Sequence, residues 1–229
     1  MHKTSSSEMV NDGFTSAQAA ERALALGYAP EGTRAGLDAL LSLDAALGNV
    51  VRSTREPMVG QMRLTWWHDA LQALDTATPP AEPVLTALAA HVTPVVPGAD
   101  LAGMIDAWEL LLDPFDASHL DAFAARRGGV LFTAMARLVS VDATMASTAG
   151  EGWALADLAA NLSDAGLAQE ARRRASERLS GAFAARWPVR ARAIGALALI
   201  ARADLAPDSA PPAGPRRTAR LAWHRLTGR

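Results

Sequence analysis

The chain contains no cysteine, few aromatic residues and no strong excess of charge, and each of these absences excludes a class of protein. Without cysteine there is no disulfide, no thiolate nucleophile and no cysteine metal site. Only 5% of the residues are aromatic, and the runs of β-branched and aromatic residues that are typical of strands are missing. The net charge of −2 gives no overall electrostatic basis for binding a polyanion, so no nucleic-acid partner is expected.

Long uninterrupted apolar runs are missing as well, which argues against an integral membrane protein. No window offers the roughly 18 consecutive apolar residues that a transmembrane helix needs, and the apolar segment 191–205 is short and interrupted by arginines. Residues 1–13 are polar, do not form a secretory signal and are expected to be disordered. We therefore expect a cytoplasmic protein, with peripheral contact to the inner membrane as an open alternative.

Alanine and leucine supply most of the hydrophobic residues, which make up 50% of the chain. Both residue types lose little side-chain freedom in a helix, so the composition predicts an all-α protein. Residues 14–205 are expected to form a single helical domain, followed by a proline-rich linker and a short basic helix over 206–229. That helix is expected either to dock on the domain by its apolar residues or to contact an anionic membrane or a protein partner.

The most informative motif is the segment 55–71, with the sequence R-E-P-M-V-G-Q-M-R-L-T-W-W-H-D-A-L. It resembles the E-P-x-[L/V]-G-x-[I/M]-R-L-x-W-W-x-[D/E]-A-L segment of the squalene/phytoene synthase family. Three weaker similarities follow in the order found in the family, at 104–109, 128–132 and 153–164. The resemblance implies an isoprenoid-synthase-like bundle of antiparallel helices around a central cavity.

Catalysis in that family depends on Mg²⁺, and the resemblance indicates which positions would hold the ion. Active members join two prenyl diphosphates head to head, with Mg²⁺ bound by two D-x-x-x-D motifs on facing helices. The first motif would fall on three positions without a carboxylate, Gly48, Asn49 and Arg52. The second would fall on Asp164 and Ala168, so that one acid remains. Trp108 replaces the arginine of the family's L-I-D-A-R-E segment.

These departures predict no catalytic residue, no metal site and no cofactor. The pattern resembles the non-catalytic branch of the family that includes a mitochondrial complex I assembly factor. We therefore expect a scaffold that binds a lipid or a protein partner, with respiratory-complex assembly as one such role. Two alternatives stay open: a prenyl transferase with a rebuilt, Mg²⁺-dependent site, and a module that binds an isoprenoid ligand.

Four polar residues are weak candidates for a substrate-binding site: Arg63, Asp157, Asn161 and Asp164. The last three are spaced i, i+4 and i+7, which on one helix would form a single polar face. Such a face either lines the cavity or is an ordinary solvated stripe with structural hydrogen bonds, and the second interpretation is favoured.

Other local predictions concern Arg63 and the helix pattern. Arg63 is expected either to clamp a diphosphate or, as the favoured interpretation, to be a partly buried arginine paired with Glu56 or Asp44. The neighbouring pair at 66 and 67, both tryptophan, is expected to belong to the core rather than to line a lipid cavity. One helix is predicted over 101–112, and an interruption is predicted at Gly128 and Gly129.

Overall fold

The described part of the chain is built from helices and contains no β-strand, which confirms the all-α prediction. The computed structural model describes residues 16–206 and 210–229, so the segment 1–13, predicted to be disordered, lies outside the described residues. The α-helices in chain order are α1 Ser16–Leu26, α2 Arg34–Ser53, α3 Pro57–Ala73, α4 Pro83–His91, α5 Gly98–Ala102, α6 Ile105–Glu109, α7 Leu120–Ala124, α8 Val130–Leu138, α9 Thr144–Asn161, α10 Ala165–Ala182, α11 Arg192–Asp204 and α12 Pro215–Thr227. A π-helical segment, Ala125–Gly129, joins α7 to α8.

Helices α2 and α3 carry the most family-like sequence and form by simple local rules. The leucines of α2 recur at helical spacing and are buried: Leu37, Leu40, Leu41, Leu43 and Leu47. Helix α3 begins at Pro57, whose missing N–H costs nothing in a first turn. Trp67 is buried in the core, but Trp66 is 46% exposed. The prediction that both tryptophans belong to the core is therefore wrong for Trp66, because adjacent helical residues point about 100° apart.

Helix α9 lies at the centre of the fold, where it packs against α8, α10, α11 and the π-helical segment. Helices α9 and α10 are joined by residues 162–164 only, and they pack along each other as an antiparallel pair. The π-helical segment crosses α9 at two glycines, Gly128 and Gly150. A β-carbon on Gly128 would lie 1.9 Å from the carbonyl oxygen of Gly150. The two backbones are therefore in direct contact, which no residue larger than glycine permits.

Three local predictions require correction. The helix expected over 101–112 is divided into α5 and α6 by a turn at Gly103 and Met104. Gly128 and Gly129 do not break the chain into two separate helices, because the interruption predicted there is a change from α- to π-helical backbone that runs directly into α8. The single helix that would carry Asp157, Asn161 and Asp164 is not formed, because α9 ends at Asn161 and the next residue, Leu162, has an extended backbone with ψ 133°. The family-like segment 153–164 thus spans the end of one helix and the beginning of another.

The C-terminal helix α12 docks on α1 and α11. Arg217, only 6% exposed, donates two hydrogen bonds of 2.7 Å to the carboxylate of Glu21 and one of 2.5 Å to Asp204. Leu221 and His224 are buried on the same side of the helix. The inner side of α12 therefore belongs to the core of the domain, as the docking interpretation predicts. No helix in the described ranges has the length and apolarity required to cross a bilayer.

Gly128→Ala is expected to destabilise the fold severely, because the added methyl group would collide with the backbone of α9. The loss in the free energy of unfolding should reach or exceed about 3 kcal/mol, the upper range for overpacked cores. Gly181→Ala is the matched control, since a β-carbon there meets nothing within 4 Å. This substitution should leave the free energy of unfolding unchanged or raise it by up to ~1 kcal/mol. Urea unfolding measures both variants, and equal stabilities would contradict the close crossing.

The imidazole of His224 should make the docking of α12 sensitive to pH. Burial lowers the pKa of His224, and the charge of Arg192 lowers it further, although hydrogen bonds to backbone carbonyls oppose the shift. Below the ordinary histidine pKa of about 6.5 the unfolded chain takes up a proton that the folded chain refuses. The free energy of unfolding should therefore fall as the pH decreases below about 6.5 and stop falling at the lowered pKa of the folded state.

His224→Gln is expected to remove this part of the pH dependence. Urea unfolding at about pH 7.5 and pH 5.5 measures the stability of both proteins, and the wild type should lose more stability than the variant. An identical loss in the two proteins would show that His224 does not titrate in this range.

Candidate functional site

The centre of the fold holds one buried arginine, Arg127, which lies in the π-helical segment and is 4% exposed. Its Nε donates a hydrogen bond of 2.8 Å to Oδ1 of Asp44, on α2, and its Nη2 donates a second bond of 2.8 Å to Oδ2 of the same carboxylate. Its Nη1 donates a bond of 2.6 Å to Asp157, on α9. One guanidinium thus joins two carboxylates from two different helices. We call these three residues the arginine centre.

Aromatic rings cover the remaining surface of the guanidinium. The carbon Cζ of Arg127 lies 4.4 Å from the ring centre of Trp108, 4.9 Å from that of Trp153 and 5.6 Å from that of Phe123. A cation held over aromatic faces is attracted by the negative charge of the ring faces, and the attraction is stronger where water is absent. The interior at this point is therefore filled by a charged group and its packing partners.

The charge of Arg127 is maintained by its two acidic partners. Burial alone would lower the pKa of the guanidinium, and this is the largest single effect. The attraction and hydrogen bonds of Asp44 and Asp157 together outweigh burial and raise the pKa above its ordinary value. The arginine centre therefore carries one positive and two negative charges, of which only Asp157 is partly open to solvent, with 37% of its side chain exposed.

The position of the first acidic motif is closed by Trp108. A β-carbon on Gly48 would lie 2.9 Å from Cη2 of the Trp108 ring and 2.9 Å from Nη1 of Arg52. A carboxylate at position 48 has no room unless one of these side chains moves. The indole at position 108, where the resemblance leads one to expect an arginine, thus lies against Gly48, where it leads one to expect an acid. The indole nitrogen is buried and has no hydrogen-bond partner in the described residues.

The structure separates the three candidates that the sequence places on one helix face. Asp157 joins the arginine centre. Asn161, the last residue of α9, is exposed and donates a hydrogen bond of 2.8 Å to the carbonyl oxygen of Asp157. Asp164 caps the N-terminus of α10 by accepting a bond of 2.7 Å from the backbone N–H of Leu167. The single polar face is therefore not formed, because the chain turns between Asn161 and Asp164.

Arg63 does not have the carboxylate partner that the sequence suggested. Its side chain is exposed, and Nη1 donates to the hydroxyl groups of Ser53 at 3.1 Å and Thr54 at 3.2 Å. The expected partner Asp44 lies in the core with both oxygens bound to Arg127. The prediction of a partly buried, carboxylate-paired Arg63 was wrong, because Arg63 lies on the outer side of α3, whereas Leu64 and Trp67 face inward.

Arg127 itself was missed by the sequence analysis. One signal was present: Asp44 stands among the leucines of α2, and a charged residue on an apolar helix face requires a partner. The identity of the partner had no local signal, since Arg127 follows Asp44 by 83 residues.

The residues of the interior do not fit a Mg²⁺ site. The described ranges contain no group of three or more histidine, aspartate or glutamate residues that could hold a metal ion. Both oxygens of Asp44 and one of Asp157 already accept hydrogen bonds from Arg127. Mg²⁺ requires several oxygen ligands in nearly octahedral geometry, and a guanidinium within 3 Å of these oxygens would repel it.

A groove between α1 and α2, with a volume of about 920 Å³, is the second feature near the first-motif positions. Asn49 and Arg52 open onto it, together with Arg22 and Arg34. Arg22 is paired with Asp38 at 3.8 Å. Alanines supply much of the remaining lining: Ala19, Ala23, Ala35, Ala45 and Ala46. The groove thus combines an apolar floor with basic side chains and the one carboxylate of Asp38.

Comparison with known proteins identifies the family. The sequence profile of the squalene/phytoene synthase family matches residues 15–175, which is more than half of the chain, and the protein belongs to this family. The matched range includes all three residues of the arginine centre and ends within α10. The helical architecture agrees with the isoprenoid-synthase-like fold. Neither the curated proteins nor the solved structures contain a significant match.

Arg127→Leu is expected to lower the free energy of unfolding by about 3 to 5 kcal/mol, because two carboxylates are left in the interior without their cation. Arg63→Ala is the matched control: it removes an exposed arginine and should change stability by less than about 0.5 kcal/mol. Urea unfolding gives both values.

A double-mutant cycle with Asp44→Leu separates the ion pair from general packing. The double variant Asp44→Leu/Arg127→Leu should be more stable than the sum of the two single losses predicts, since neither charge is then left alone. Strict additivity, or an Arg127→Leu variant as stable as Arg63→Ala, would contradict the arginine centre.

Proposed function

We propose that this protein is a non-catalytic member of the squalene/phytoene synthase family that acts as a helical scaffold. The observation that carries the proposal is the arginine centre. Two carboxylates from different helices, Asp44 and Asp157, bind the guanidinium of Arg127 in the interior. Both acids of the arginine centre are thus already bound to one cation of the chain itself.

The chemistry of the family explains why this arrangement argues against catalysis. Separation of a prenyl group from its diphosphate places negative charge on the leaving group, and cations must stabilise that charge in the transition state. The first-motif positions Gly48, Asn49 and Arg52 contribute no acid to hold such cations. The rings of Trp108 and Trp153 pack on Arg127 at 4.4 Å and 4.9 Å, so indole side chains occupy the space directly beside the guanidinium.

A second candidate function is supported by the groove between α1 and α2. Its volume of about 920 Å³ lies within the range of small-molecule sites. An alanine floor suits an isoprenoid chain, and Arg34 and Arg52 suit a phosphate group at its end. According to this second candidate function, the protein binds an isoprenoid ligand but does not convert it chemically.

A role in respiratory-complex assembly extends the scaffold proposal and rests on the resemblance to the assembly-factor branch alone. Its partner would be a subunit of a membrane-bound complex. A partner of that kind would place the protein in the cytoplasm at the inner membrane.

Purified protein is expected to release no inorganic diphosphate from farnesyl or geranylgeranyl diphosphate in the presence of Mg²⁺. An organic extract of the same sample, analysed by mass spectrometry, tests for a bound isoprenoid. If the groove binds it, Ala45→Trp should remove the isoprenoid from the extract, whereas Ala73→Trp, on the exposed end of α3, should retain it.

Release of diphosphate that requires Mg²⁺ and disappears in Asp164→Ala would overturn the scaffold proposal in favour of a transferase with a rebuilt site. Release that persists in Asp164→Ala would overturn it equally and would assign the activity to other residues.

A further inference from the structure

The basic residues of the chain are concentrated at its C-terminal end. Nine of the 22 lysine and arginine residues lie between residues 186 and 229, but only two of the 24 acidic residues do. The remainder of the chain is therefore clearly acidic, although the total charge is only −2. A charge distribution of this kind orients a protein toward an anionic partner with one end first.

Four of these arginines line one cleft between the end of α10, helix α11 and helix α12. The cleft has a volume of about 320 Å³, and its arginines are Arg186, Arg202, Arg220 and Arg229. The other lining residues are Phe183, Ala184, Ala185 and Leu199, so the lining contains no acidic side chain. We call this cleft the arginine cleft.

The guanidinium groups of the arginine cleft have no acidic partner within the described ranges. None of the four forms an ion pair there, in contrast to Arg217 on the buried side of α12, which binds Glu21 and Asp204. Arg202 instead lies over the ring of Phe183, 5.5 Å from its centre. Four like charges around one cleft repel each other, and an anion placed among them would remove that repulsion.

The outer side of α12 adds an apolar surface next to the arginine cleft. Trp223 is 60% exposed and Leu226 is 73% exposed, and Trp223 lies one helical turn after Arg220. Ala219 and Ala222 are exposed on the same outer side, with Arg216 at its edge. The helix is therefore apolar on two sides: the inner side packs on the domain, and the outer side has no partner in the described ranges.

We propose that the arginine cleft binds the phosphate group of an anionic lipid and that α12 lies in the plane of the membrane surface beside it. Guanidinium groups bind phosphate oxygens in pairs and are well suited to this headgroup. An exposed tryptophan and leucine next to such a site enter the boundary between headgroups and acyl chains, where tryptophan is preferred. A free phosphate would use the arginines but would leave Trp223 and Leu226 without a role.

Binding to vesicles tests the proposal directly. The full chain is sedimented with vesicles of phosphatidylcholine alone and with vesicles that contain about one third phosphatidylglycerol. Binding is expected to the second composition only and to weaken with salt. The variant Arg220→Ser/Arg229→Ser should lower the partition coefficient by about tenfold or more, since each basic residue near an anionic surface contributes about 1 kcal/mol. Trp223→Ser should lower it as well.

The matched control is Arg55→Ser/Arg63→Ser, which removes the same charge from exposed positions around the start of α3 and should leave vesicle binding unchanged. Equal losses in the two double variants would show a general charge effect and would overturn the arginine cleft.

Titration with soluble glycerol phosphate forms the second arm of the test. Saturable binding of that compound as tight as binding to the vesicles would assign the cleft to a free phosphate ligand and would overturn the membrane proposal. Equal binding to neutral and anionic vesicles would overturn it too.

Discussion

The guanidinium of Arg127 is the charge on which the packing of the central helices depends. It lies between α2 and α9 and joins them through Asp44 and Asp157. A charge inside a protein is tolerated only when its partners replace the hydration it has lost. Here three hydrogen bonds and three aromatic faces do so. The aromatic residues and the acids therefore depend on one cation, and its removal would leave both without a partner.

The position of that cation follows from two small residues. Gly128 and Gly150 allow the π-helical segment and α9 to touch backbone to backbone, which brings Arg127, the residue before Gly128, to Asp157. A π-helical turn inserts an additional residue and changes the direction in which the following side chains point. Local geometry at a helix crossing thus determines which side chain reaches the centre. Trp108 packs against Gly48 next to the same centre, so side chains fill the interior at this point.

The helical class and the family followed from the sequence, but the centre did not. The segment 55–71 carries the family resemblance in consecutive residues. The helical class follows from the abundance of alanine and leucine, each of which favours a helix independently of its distant neighbours. Both signals are therefore local. The arginine centre joins residues separated by 30 and 83 positions along the chain, and nothing near Arg127 indicates which way the π-helical segment turns it. The three polar residues from Asp157 to Asp164 were grouped by spacing, which is valid only within one helix. Because the chain turns after Asn161, the three residues lie in different surroundings and make different contacts.

The proposed non-catalytic function requires that the interior acids bind the guanidinium of Arg127 and not a metal ion. The most direct test of this claim is nitrogen-15 NMR of the side-chain Nε–H group of Arg127 during titration with Mg²⁺ and inorganic diphosphate. The arginine centre predicts a slowly exchanging Nε–H signal that does not move, because both acids remain bound to the guanidinium. A signal that exchanges rapidly, or that shifts saturably as Mg²⁺ and diphosphate are added, would show that the interior opens to the metal and would contradict the account.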